Sequence, residues 1–253
     1  MILNKFDLAG KVAIVTGCDT GLGQGMALGL AQAGCKVAGI NIAEPSDTIA
    51  KMAEGEHQFL DIRADMSDIS QFDGHVDKVI SEFGQVDILV NNAGIIRRQD
   101  AIEFTEKNWD DVMNLNIKAV FFMSQAVARQ FIKQGHGGKI INIASMLSFQ
   151  GGIRVPSYTS SKSAVMGVTR LLANEWAPHN INVNAIAPGY MATNNTAALR
   201  ADDDRSSEIL ERIPAARWGT PEDVAGPAIF LASSAADYIN GYTVAVDGGW
   251  LAR

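Results

Sequence analysis

The chain has 253 residues, 47% hydrophobic and 19% charged, and its 21 Lys and Arg against 28 Asp and Glu leave a net charge of −7. A charged share below the usual figure of about 25% excludes a disordered chain. The acidic balance, with a pI near 5.1, excludes nucleic acid and anionic membrane surfaces as partners.

Cys18 and Cys35 are too few for a disulfide framework, and the start MILNKFDLAGK lacks the apolar stretch of a signal peptide. No apolar run approaches the ~20 residues that cross a bilayer. His57, His75, His136 and His179 have no metal-ligand spacing, so no metal is expected. The expectation is a cytoplasmic enzyme or binding protein.

In chain order, the hydrophobic pattern predicts a strand at 12–15, a helix around 25–33 and strands at 36–40 and 58–62. A helix at 69–83, a strand at 86–90 and a long helix at 106–134 follow. The remainder reads as strand 139–144, helix 158–178, strand 182–187, helix 221–233 and strand 243–246. The strands are near-continuous apolar runs, as in sheets covered on both faces. Their alternation with helices predicts an α/β fold, one parallel sheet with helices on both faces. No repeat or linker divides residues 1–253, so one domain is expected. Thr220, Pro221 and Asp223 form a helix start: a cap, a proline at the first position and an acid in the first turn. Residues 189–212 are weakly patterned, with Asn194, Asn195 and the acids Asp202, Asp203 and Asp204 between Arg200 and Arg205. They read either as a solvated surface helix or as a lid over a pocket.

After the first strand comes Thr16-Gly17-Cys18-Asp19-Thr20-Gly21-Leu22-Gly23, with a helix beginning near Gln24. Glycines in a strand-to-helix turn let the backbone approach a pyrophosphate, whose charge meets the helix N-terminus. The second strand closes on Asn41, where an acid would bind the adenosine ribose diol. Asn41 can bond the diol but cannot repel a 2′-phosphate. Asp19 lies in the same region, so NAD is favoured and NADP tolerated.

Tyr158 and Lys162 stand at i and i+4 on one helix face. A nearby ammonium is expected to draw the phenol's pKa toward neutrality, making Tyr158 a usable acid or base. Ser145 follows a strand end, at the edge where parallel sheets bind ligands.

Together with Asp65, Asn91-Asn92-Ala93-Gly94, Asn116, Pro188-Gly189 and Thr193, these pieces resemble the short-chain dehydrogenase/reductase family over essentially the whole chain. The resemblance implies a Rossmann fold with seven parallel strands, and NAD(P)-linked interconversion of an alcohol and a carbonyl. It implies a homotetramer joined through the helices near 106–134 and 158–178. Tyr158 would be the proton donor in reduction and the base in oxidation. Lys162 would hold the nicotinamide ribose and lower the tyrosine pKa, Ser145 would polarise the carbonyl, and Asn116 would hold a water beside Lys162. Asp65 and the Met66 amide would contact adenine; Asn92, Ala93 and Gly94 would line the cleft alongside Gly17, Asp19, Gly21, Leu22 and Gly23. Gly189, Met191 and Thr193 would complete the cofactor site, with Met191 and Thr193 on the carboxamide. Asn41 departs from the aspartate usual in NAD-preferring members.

Several stretches, among them GCDTGLGQGMALGLAQAG and IINIASMLSFQGGIRVPSYT, resemble family members that act on keto sugar acids. They imply NADH reduction of the 5-keto group of a 3-deoxy-2,5-diketo hexonate, and its reverse. A reductase of carrier-bound 3-oxoacyl groups and a non-catalytic NAD sensor are the rival readings. A sugar acid brings a carboxylate, which an arginine fork can hold. Among Arg97, Arg98 and Arg154 the expected partner is Arg154, on the flexible Gly151-Gly152 loop, with Met146 and Gln150 completing the wall.

Overall fold

A computed structural model describes all 253 residues. The first half forms β1 (Val12–Thr16), α1 (Gly21–Gln32), β2 (Lys36–Asn41), α2 (Ser46–Glu54), β3 (Phe59–Arg63), α3 (Phe72–Phe83) and β4 (Ile88–Asn91). The second half forms α4 (Glu106–Met113), α5 (Ala119–Gln134), β5 (Gly138–Ile143), α6 (Pro156–Trp176), β6 (Ile181–Pro188), α7 (Ala197–Arg200), α8 (Asp203–Arg212), α9 (Pro221–Ala232) and β7 (Thr243–Val246).

The seven strands make one parallel sheet in the order β3-β2-β1-β4-β5-β6-β7. Alternate residues of each strand feed opposite faces. Ala13, Val15 and Val37 pack with α1 and α9, while Val12, Ile14, Ala38 and Ile40 pack with α3, α5 and part of α6. On the first face α1 and α9 touch almost backbone to backbone. A Cβ on Gly29 would lie 2.8 Å from that of Ala225, and one on Gly25 would lie 2.6 Å from Pro221 Cβ.

The structure departs from the predicted elements at three places. Helix α1 starts at Gly21 rather than near Gln24, because the glycines read as a turn form its first turn. Helix α2 was not expected; it is short and buries only Thr48 and Met52. The long helix at 106–134 is interrupted by a π-helical segment, Asn114–Lys118, between α4 and α5. The stretch 189–212, in keeping with its reading as a solvated surface helix, contains α7 and α8. Its acids mark a helix start: the Asp202 carboxylate accepts from the Arg205 N–H (3.0 Å), and Asp203 and Asp204 occupy the first turn. At α9 the Asp223 carboxylate accepts from the Thr220 N–H at 2.8 Å and from both Arg217 Nη atoms at 2.6 and 2.8 Å. Arg217 holds that carboxyl down to about 2. No helix is long and apolar enough to cross a membrane.

Candidate active site

Strand order reverses between β1 and β4, so the turns after them diverge and open a crevice at the carboxyl edge of the sheet. The resulting cleft, about 310 Å³, is lined by Gly17, Asp19, Gly21, Leu22, Gly23, Asp65, Met66, Asn92, Ala93, Gly94, Tyr158, Lys162 and Thr193. Ile40, Ile42, Leu115 and Ile143 also line it and carried no signal in the sequence; Asn194 and Asn195, in the stretch read as a possible lid, line it too. Gly17 has φ +63°, and a Cβ on Gly23 would sit 2.0 Å from the Gly17 carbonyl oxygen. The turn is therefore made of backbone. Asn92 Nδ2 donates to the carbonyls of Thr16 (3.0 Å) and Gly17 (2.7 Å), and Thr16 Oγ1 accepts from the N–H groups of Asn92 and Ala93 (3.0 Å each). A turn with no room for side chains, leading into the N-terminus of a twelve-residue helix, fits a dinucleotide pyrophosphate.

Three expected cofactor residues lie elsewhere. Asn41 is buried and does not offer its amide to a ribose. Its Oδ1 accepts from the Cys18 N–H at 2.8 Å and its Nδ2 donates to Asp61 at 3.2 Å, so it braces the glycine turn from behind. Gly189 backs onto β7, where a Cβ would meet Asp247 Cα at 2.7 Å. Met191 is buried against Gly219, and its carbonyl accepts from Thr196 Oγ1 (2.5 Å). Both shape the loop that carries Thr193 and do not line the cleft.

Ser145 follows β5, while Tyr158 and Lys162 lie one turn apart on α6. Ser148, which the sequence reading passed over, ties these pieces together. Its Oγ accepts from the Ser145 N–H (3.2 Å) and donates to the Lys162 carbonyl (2.6 Å). Lys162 is 4% exposed; its Nζ donates to the Ile143 carbonyl at 2.5 Å and stands 5.8 Å from the centroid of the Tyr158 ring. Burial lowers its pKa to about 8. The expected pull of Lys162 on the phenol is replaced by another balance. Burial raises the Tyr158 pKa, and the Ser145 hydroxyl and Arg98 guanidinium act against it. Asn116 sits in the π segment, its Oδ1 accepting from the Ile95 N–H and its Nδ2 donating to the Ile95 carbonyl, 2.9 Å each.

The substrate wall differs from expectation. Arg154 has φ +62°, which turns its side chain to the surface and into an ion pair with Asp100 at 2.9 Å. Met146 is buried under α8 rather than facing the cleft, and Gln150 is absent from the lining. Arg97 pairs with Asp111 at 3.5 Å. Arg98 is the arginine at the mouth: its Nη2 donates to the carbonyl of Asn195 (3.2 Å), which lines the cleft.

A cleft lined by a glycine turn, a phenol and a buried amine, with Ser145 beside them at the end of β5, defines a nicotinamide-linked alcohol dehydrogenase or ketone reductase. The chain belongs to the short-chain dehydrogenase/reductase family, and residues 17–251 match the family described as enoyl-(acyl carrier protein) reductase. It is 78% identical to the 2-dehydro-3-deoxy-D-gluconate 5-dehydrogenase of Dickeya dadantii and 72% identical to that of Escherichia coli, covering 100% of each chain. An Agrobacterium tumefaciens structure with bound NADP, provisionally assigned as a 2-deoxy-D-gluconate 3-dehydrogenase, superposes with a TM-score of 0.94. Its sequence is 55% identical, over 99% of this chain and 100% of that one.

Proposed function

We propose that the protein oxidises 2-dehydro-3-deoxy-D-gluconate at C5 with NAD⁺, and catalyses the reverse reduction. One observation supports the substrate class: a guanidinium, Arg98, stands at the cleft mouth, donating to the carbonyl of the lining residue Asn195 (3.2 Å). A substrate with its reacting carbon at Tyr158 thus meets a cation for its carboxylate. The relatives' names narrow the class to this acid. An acyl carrier protein, itself acidic, would meet a chain of net charge −7.

In this reading Tyr158 takes the proton of the C5 hydroxyl during oxidation and returns it in reduction. Ser145 donates to the carbonyl oxygen, and Lys162 holds the nicotinamide ribose. The nicotinamide, when bound, accepts or supplies the hydride. Asn116, fixed by Ile95, keeps the π segment open beside Lys162 for a water. Asp65 and Met66 face adenine, and Thr193 the carboxamide. NAD(H) is favoured because the cleft's charged lining away from Lys162 is Asp19 and Asp65, which repel an added phosphate. NADP(H) binds more weakly, its phosphate within reach of Arg63, whose Nη2 caps the Ile42 carbonyl (3.2 Å).

Residues 189–212 act as the substrate lid on one domain, 1–253. The chain works in the cytoplasm as a homotetramer, with Leu171 on α6 (52% exposed) and Ile132 on α5 (45%) available for subunit contacts. Steady-state oxidation of the acid by NAD⁺ tests the assignment. Arg98→Gln should raise KM for the acid about tenfold, while Arg154→Gln leaves it within about twofold. Turnover of an uncharged polyol without turnover of the acid would reject the reading.

A further inference from the structure

Trp250 begins the last turn of the protein, Trp250–Ala252, and is 5% exposed. Its ring meets Tyr190 edge-on with centroids 4.8 Å apart, and the Arg212 guanidinium lies over it at 4.0 Å. Ile209 and Ile213, at the end of α8, complete a buried cluster with Trp250 and with Met146, the neighbour of Ser145. Hydrogen bonds to main-chain carbonyls add a second grip. The Ala215 N–H donates to the Gly248 carbonyl (3.0 Å), and the Arg253 guanidinium donates to the Glu211 carbonyl (3.3 Å). The Asp247 carboxylate holds the turn by accepting from the N–H groups of Gly249 and Leu251, 2.9 Å each.

Helix α8 has little else to hold it. Ile209 is its one buried residue, and its first turn is acidic and faces solvent. The Trp250 Nε1 has no hydrogen-bond partner, so packing and the cation over the ring, not a polar anchor, keep the indole in place.

We propose that Trp250 and the turn it opens are positioning residues for the substrate. They seat α8 against Met146, the neighbour of Ser145, and so set how tightly the sugar acid is held, without touching the reacting atoms. The inference rests on the reading of 189–212 as the lid.

Two measurements on the full-length protein test it. The first is oxidation of 2-dehydro-3-deoxy-D-gluconate by NAD⁺. The second is tryptic nicking after Arg200 and Arg205 without ligand, which needs no substrate assignment. Trp250→Ala should raise KM for the acid about tenfold with kcat within about twofold and KM for NAD⁺ unchanged. Nicking within the lid should quicken about tenfold. Trp250→Phe, which keeps the aromatic packing, should stay near wild type in both. If Trp250→Ala does not fold, Arg212→Ala, on the exposed side of the ring, should still shift both readouts about threefold in the same directions. Unchanged acid KM and unchanged nicking, or KM for NAD⁺ rising in parallel with that for the acid, would overturn the proposal. If wild-type protein does not oxidise the acid, the substrate assignment fails, and the nicking rates alone decide whether Trp250 seats the lid.

Discussion

On the cofactor side of the cleft the chain presents mostly main chain: the turn from Gly17 to Gly23, clasped by Asn92 and Thr16 through four hydrogen bonds of 2.7–3.0 Å. On the side proposed for the substrate it presents side chains: Arg98 donates to the Asn195 carbonyl, and α8 is seated through Ile209, with Ile213 just past its end. A site made of backbone tolerates change at most positions except its glycines and the side chains, such as Asn92 and Thr16, that clasp it. A site made of side chains can be re-specified one residue at a time while the fold stays put. One nucleotide-binding frame can therefore serve many alcohols and ketones.

The sharpest way to break this division is at the seam where the halves meet. Tyr158→Phe removes the transferable proton and keeps the ring, so turnover should fall ~10²–10⁴-fold. NADH binding, followed by its fluorescence, should remain within about twofold, because the cofactor side does not depend on the hydroxyl. Loss of both together would show that the two halves cannot be separated.

The second test concerns the cost of the seam. Lys162 has its pKa lowered from 10.5 to about 8 by burial. Between those values the unfolded chain holds more protons than the folded one, so stability rises with pH across that window and the penalty is fully present below it. The raised Tyr158 pKa acts in the opposite sense, but only above pH 10, the phenol's ordinary value. From pH 8 to 10 the cofactor-free protein should gain about 2–3 kcal/mol over Lys162→Met, measured by urea unfolding. A flat difference would mean that Lys162 is paired rather than simply desolvated.

The smallest expected effect sharpens the contrast from behind the glycine turn. Because Asn41 contacts Cys18 and Asp61, Asn41→Asp places a second carboxylate beside the first. It should cost about 1–2 kcal/mol of stability. The ratio of NADH to NADPH use should move less than about threefold. A sharp gain in NADH preference would show that position 41 does face the 2′ position.

These cases also show what was legible beforehand. The sheet, most of its helices, the glycine turn and the Tyr158–Lys162 pair follow from local spacing, since glycines in a βα turn and a Tyr four residues from a Lys carry their geometry with them. Asp65, Asn92–Gly94 and Thr193 were legible only through the family resemblance. What stayed hidden depends on where a side chain points. Asn41 and Arg63 are cross-strand partners, and Asn41 turns to the face where Cys18 lies, a choice invisible in a list of residue types. Arg154 and Arg98 are equally basic. The left-handed backbone at Arg154 sends one to the surface, and the path of the chain after β4 brings the other to the cleft. Ser148 was overlooked because a serine between two hydrophobic residues has no distinctive spacing; its role exists only once Ser145 and Lys162 are brought together.

The π segment at Asn114–Lys118 bears on how this chain can change length. A π turn is an α-helix holding one surplus residue, and each residue of an α-helix turns its neighbours by about 100°. Removing one residue there would restore a regular helix, yet it would rotate all of α4 relative to α5 and carry the buried Val112 out of its seat. It would also swing Asn116 away from Ile95. Insertions and deletions that the surface loops on either side can absorb are thus barred from this stretch, and the surplus residue behaves as a fixed register mark in the middle of the chain.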